Sequence, residues 1–200
     1  MADNPHGFNP VKHKLGVPLS ATVNPYYKKA DYAVALFVGD PVVKNGTANL
    51  AEVNPGAEAF ASGELPELAI GALTGGNTGV VVGKMTRSGN LETIHSAASI
   101  EDVILVCDDP YVVFSAQEDS GAGNMAATSV GLNTDLLIGT GDAVTGISGA
   151  EIDSSEIAAT ATLAVKVLRL APDQGNAIGA NAEWHVLMNA HTEAPNSAGI

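Results

Sequence analysis

Apolar residues in this chain arrive in short runs, and nearly every run is closed by Gly, Asp or Asn before a second helical turn has room to form. The runs AVALFV (33–38), VVVG (80–83), VILVC (103–107), YVVFSA (111–116), DLLIG (135–139), TATLAVKVLRL (160–170) and WHVLMN (184–189) read as strands. In 160–170, Ala161, Leu163, Val165 and Val167 share one face against Thr160, Thr162 and Lys166, which predicts a strand with one wet side. Leu168 and Leu170 break that alternation around Arg169, so a bulge or bend is expected there. The run from Val103 to Cys107 is apolar on both faces, as a central or barrel-wall strand is. The intervening stretches 45–56, 73–79, 118–124 and 139–149 are rich in turn-forming residues and read as loops. Short helical turns are expected only at 65–72 and 155–159. Seven or more strands separated by turns predict an all-β fold, a small barrel or jelly-roll-like sandwich.

A chain of 200 residues is one domain's length, and charge divides it unevenly. Residues 1–30 carry Lys12, Lys14, Lys28 and Lys29 against Asp3 alone, whereas 31–200 carry five basic and 21 acidic side chains. Pro5, Pro10, Pro18 and Pro25 recur through the basic segment with Gly7 and Gly16, which blocks helix and favours extended backbone. The expected organisation is an extended arm over 1–30, a β domain over 31–192 and a flexible tail over 193–200. The arm would lie either on its own acidic body or on an acidic partner. With a net charge of −13, the whole chain would be repelled by nucleic acid and by anionic lipid. No run approaches the roughly 18 apolar residues of a membrane span, and no apolar run follows the N-terminal charges as in a secretory signal.

Each catalytic or metal motif fails on spacing. In TGVVVGKMT the phosphate-loop pattern finds Thr78 where its first glycine belongs and Met85 where its hydroxyl belongs. GISGA around Ser148 has Ala150 in place of the last glycine of a nucleophile elbow, which leaves Ser148 as a turn serine. His185 and His191 are six apart, about 20 Å along a strand, so with His95 they make no metal site unless the chain folds back at Asn189. Cys107, the sole cysteine, precedes Asp108 and Asp109, whose charges disfavour a thiolate. Asp135 and Asp142 lack the order of ligands of a calcium loop and read as turn residues. Trp184 is expected in the core, whereas Tyr26 and Tyr27, at the end of the basic arm, are candidates for an interface.

Five segments together resemble the small head decoration, or structural cement, proteins of tailed bacteriophages. They are GFNPVKHKLG (7–16), NPYYKKADYAVALFVGDPV (24–42), LETIHSAASIEDVILVCDDPYVVFSAQED (91–119), VGLNTDLLIGTGDAVTGISGAEIDSSEIAATATLAVKVLRLAPD (130–173) and GNAIGANAEWHVLMNAHT (175–192). The resemblance implies a non-enzymatic β-rich protein without cofactor, made in the host cytoplasm. It would sit on the outer capsid surface as a homodimer or homotrimer, with the major coat protein as partner and neither nucleic acid nor membrane among its ligands. Many copies, each burying modest area against neighbouring coat subunits, would act as a clamp. The charge asymmetry nominates Phe8, Lys12, Lys14, Tyr26, Tyr27, Lys28 and Lys29 for coat contact. The rival is a β-sandwich tail or host-surface carbohydrate-binding module, which usually exposes clustered aromatics; nine aromatics leave few for that.

Overall fold

The computed structural model describes residues 2–56, 58–86, 93–121, 123 and 125–194, and in these the protein is all-β. Five strands close a barrel in the order β2-β4-β3-β5-β6, formed by β2 (Val23–Lys28), β3 (Pro41–Ala48), β4 (Pro66–Ile70), β5 (Gly79–Lys84) and β6 (Asp102–Cys107). Beside it lies an antiparallel sheet in the order β1-β7-β12-β11-β8, formed by β1 (Asn9–His13), β7 (Val112–Gln117), β8 (Asn133–Thr134), β11 (Val165–Leu170) and β12 (Glu183–Met188). A small ladder joins β9 (Leu136–Leu137) to β10 (Glu151–Ile152).

The apolar pattern of β6 explains how the two layers are held together. Its even positions, Ile104 and Val106, point into the barrel lumen with Tyr26, Val42, Leu68 and Val81, and Leu36 joins this cluster. Its odd positions face outward, where Val103 is covered by Val53, Phe60 and Leu65 of the excursion between β3 and β4. At the end of the strand, Cys107 packs with Val80 into the main core, against Phe114, Val165, Trp184 and Val186 of the sheet. A strand buried on both faces must be apolar on both, as this one is.

The 1–30 segment is not a free arm. Asn9–His13 is β1, paired antiparallel to β7, and Val23–Lys28 is β2, paired along its length to β6. Pro25 is tolerated because β4 meets β2 only at Tyr27↔Glu67, so the proline lies beside an almost unpaired edge. Phe8 is wholly buried in the main core, and Asn4 N and Ala2 O are held by the Gln117 side chain at 3.0 Å each.

Other expectations also change. AVALFV is not a strand: its only bridges, Leu36↔Ser96 and Val38↔Ile147, join it to segments outside the sheets, while Leu36 packs into the barrel cluster. Gly39 (φ +97°) and the Asp40 carboxylate, which accepts from Phe37 N at 2.8 Å, turn it back. Part of the 45–56 stretch belongs to β3, and 65–72 holds β4 instead of a helical turn. No helix forms at 155–159; the helical pieces among the described residues are 3₁₀ turns at Leu19–Thr22 and Ala127–Ser129. Of DLLIG only Leu136 and Leu137 are strand, as β9, with β8 ending just before it at Thr134, and only 165–170 of the long run is strand. The bulge expected near Arg169 is present, as a register shift between Val167 and Arg169. The tail from 195 onward lies outside the described residues.

Candidate binding surface

Of the seven residues nominated for contact, three are turned inward. Phe8 is core. Lys28 is fully buried, its Nζ donating to the carbonyls of Ala97 and Ile100 at 2.8 Å each, so its charge holds the 93–101 segment instead of facing a partner. Burial holds that amine below the ordinary lysine range. Tyr26 lines the lumen and donates its hydroxyl to Asp108 Oδ2 at 2.7 Å; burial, then this bond, pushes its ionisation up. Composition cannot separate such positions from surface ones, because strand pairing decides which lysine points in.

The other four reach the surface at two places. Tyr27 donates to Glu101 Oε2 at 2.9 Å, and partial burial followed by that bond pushes its phenol up to about 12. Lys29 lies 3.4 Å from Glu67 and 3.6 Å from Asp31. Together they border a cleft of about 480 Å³ with Asn45 and Thr47. Lys12 and Lys14 lie at a second place, on and just beyond β1.

His13 organises that second place. Its Nδ1 accepts from the backbone N–H of Leu15 (3.1 Å) and of Val17 (3.4 Å), so the ring proton sits on Nε2 and is donated to Asp109 Oδ1 at 3.1 Å. Tyr111 packs edge-on against the ring, and Lys14 N donates to Tyr111 O. The outcome is that Val11, Leu15, Val17 and Tyr111, all exposed, gather around Lys12 and Lys14.

The remaining motifs take structural roles. Ser148 Oγ donates to the buried Asp40 Oδ1 at 2.5 Å and accepts from Ala150 N. Cys107 is buried with its Sγ 3.2 Å from Thr22 Oγ1, and burial first, then Asp108 and Asp109, raise its thiol pKa. Asp142 binds Val144 N and Thr145 Oγ1 as a turn residue, and these bonds hold its carboxyl low. Asp135 accepts from Ala164 N. His191 is buried and pushed down to about 4, while His185 receives the Arg169 Nε proton on Nδ1 at 3.1 Å. No cluster of three metal-ligating side chains occurs among the described residues, and no helix there is long and apolar enough to cross a membrane.

Set against protein-family models, curated proteins and solved structures, the chain matches none.

Proposed function

We propose that this protein decorates the outside of an icosahedral phage head, binding coat protein and clamping neighbouring subunits without catalysing a reaction. The supporting observation is the exposed apolar group Val11, Leu15, Val17 and Tyr111 set among Lys12 and Lys14 and braced by His13. Apolar side chains gathered on a surface and rimmed by charge suit a protein contact better than solvent. Bracing the segment before binding lowers the ordering cost of association. Repetition of a modest contact over a closed shell supplies avidity.

The direct test is quantitative mass spectrometry of purified particles from the source. Copies in a fixed ratio to the coat protein, lost when Lys12 and Lys14 are changed to glutamate, are expected. A few copies per particle, or none, would overturn the reading. Lys28 is left out of this variant because its amine is internal.

A second reading, a carbohydrate-binding module, draws on the cleft of Tyr27, Lys29, Asp31, Asn45, Thr47 and Glu67, whose size suits a sugar. Against it, Glu67 is already occupied by Asn45, Thr47 and Lys29. Saturable binding on a glycan array, abolished by Tyr27→Ala, would favour it.

A further inference from the structure

The cations of this acidic protein are not scattered. Among the described residues, Lys28 is internal, Lys84 is buried beside Asp102, Lys29 is paired with Glu67 and Asp31, and Lys44 with Glu193. The other four, Lys12, Lys14, Lys166 and Arg169, have no carboxylate within ion-pair distance among those residues.

Strand register brings Lys12, Lys166 and Arg169 together, and Lys14 follows just beyond the end of β1. Asn9 pairs with Ser115, Ser115 with His185 and His185 with Arg169, so these share one face across four strands. Val113 lies two residues from Ser115 on the same face and pairs with Lys12. Leu187 lies two from His185 and pairs with Lys166. The opposite face carries Phe114, Val165, Val167, Trp184 and Val186 and is the core, so the cationic face is turned away from it, with Lys12, Lys166 and Arg169 exposed and Val113, Ser115 and His185 buried among them. The bulges in β1 and β11 flank it and open a hollow of about 290 Å³, lined by Lys12, His13, Lys14, Leu168, Arg169 and His185.

Arg169 is fitted for a carboxylate. Its Nε is committed to His185 Nδ1 at 3.1 Å, which steadies the guanidinium and leaves the terminal amino groups for a bidentate, end-on contact. The neighbouring acids do little to neutralise it: Glu183 is engaged by His6 (3.1 Å) and Ser115 (3.0 Å), and Asp173 acts only at longer range.

We infer that the outward face of the five-stranded sheet docks a carboxylate-bearing segment of a partner protein, with Arg169 as the anchor and Lys12, Lys14 and Lys166 as its cationic surround. A protein carboxylate is the occupant favoured by charge complementarity. A long polyanion laid on this face would extend over the acidic remainder of a chain of net charge −13, whereas a short acidic segment stays within the cationic area. The inference rests on the decoration reading for the identity of the partner, and on the sheet's own residues for the chemistry.

The test is titration of the isotope-labelled full chain with an acetylated, amidated hexaglutamate peptide at about 0.15 M salt, where charges more than about 8 Å away are largely screened. Saturable amide shifts centred on Lys12, Lys166, Arg169 and His185 are expected. Affinity should fall about tenfold in Arg169→Gln and in the Lys12→Gln, Lys14→Gln double variant, both exposed sites that leave the fold intact. No shift at this face overturns the inference. Equal displacement by inorganic phosphate or a hexathymidine oligonucleotide overturns the carboxylate assignment, and self-association through the same residues would make the occupant a second copy and overturn it too. Head binding separates the two readings: wild type and Arg169→Gln binding heads equally would sink this face and leave decoration standing. Peptide binding with no binding to heads would do the reverse.

Discussion

Gly7 and Gly39 pass backbone to backbone: a methyl on Gly7 would lie 2.6 Å from the Gly39 carbonyl oxygen, and one on Gly39 would lie 2.7 Å from the His6 oxygen. Phe8 N donates to that same Gly39 oxygen at 2.9 Å, so the contact seats the Phe8 ring in the core. Both glycines hold positive φ, +71° and +97°. Gly39→Ala should therefore destabilise the protein by about 1–3 kcal/mol from backbone strain, with the steric clash adding to that. Gly16 has a similar φ of +79° but open space around it, so Gly16→Ala should cost only about 1 kcal/mol. Urea denaturation of the two variants compares them directly; equal losses would mean that the close approach contributes nothing.

Ser148 and Asp40 form a buried pair 108 residues apart in the chain. Removing the hydroxyl leaves a buried carboxyl, already raised by desolvation, with Phe37 N as its remaining donor. Ser148→Ala should cost about 1–3 kcal/mol, measured as a shift in urea midpoint at unchanged slope. An unshifted midpoint would show that the bond contributes nothing net.

Glu118 and His191 set opposing pH dependences. Glu118 is buried, accepts from Met125 N at 2.9 Å and is pushed up to about 7, chiefly by desolvation. The nearby Trp184 indole, which makes no close hydrogen bond, slightly offsets that shift. Between its unfolded value near 4.5 and about 7 the native state holds the extra proton, so stability falls as pH rises through that window. His191, pushed down to about 4 by burial, works the other way: between about 4 and 6.5 the unfolded state holds the extra proton, and stability falls as pH drops. Relative to wild type between pH 4.5 and 6.5, Glu118→Gln should tilt the stability profile towards rising with pH, and His191→Asn should tilt it towards falling. Thermal melts across that range decide; identical profiles in the two variants would refute both assignments.

Lys28→Met keeps most of the buried stem of the lysine but removes both Nζ bonds to Ala97 and Ile100. Faster amide exchange at Ser96 and Ser99, whose N–H groups bond Leu36 O and Tyr32 O, is expected while the sheet amides keep their protection. Uniformly faster exchange throughout the protein would instead mark Lys28 as a support of the whole barrel.

Periodicity revealed those strands whose both faces, or one face, carry a consistent signal. The apolar run of β6 and the broken alternation at Arg169 are of this kind, and both features are present in the fold. It failed where local chemistry masks strand character. Pro25 in β2 and Pro10 in β1 made two paired strands read as an arm, because an edge-tolerated proline looks like any other proline in one dimension. In the opposite direction AVALFV has strand composition, yet the Gly39 turn limits it to single bridges. The proposed docking face was half visible: Lys12 and Lys14 stand out by charge counting. Arg169 and His185 join them only through pairing among β1, β7, β12 and β11, across more than 150 residues, which no local pattern encodes.

Cys107, the one thiol of the chain, sits where the barrel wall meets the sheet, shut away beneath Thr22. Its side chain is almost wholly buried, so a thiol-specific alkylating reagent records excursions that open this junction. The wild-type protein thus carries its own clock for opening at this junction, readable by mass without an introduced label.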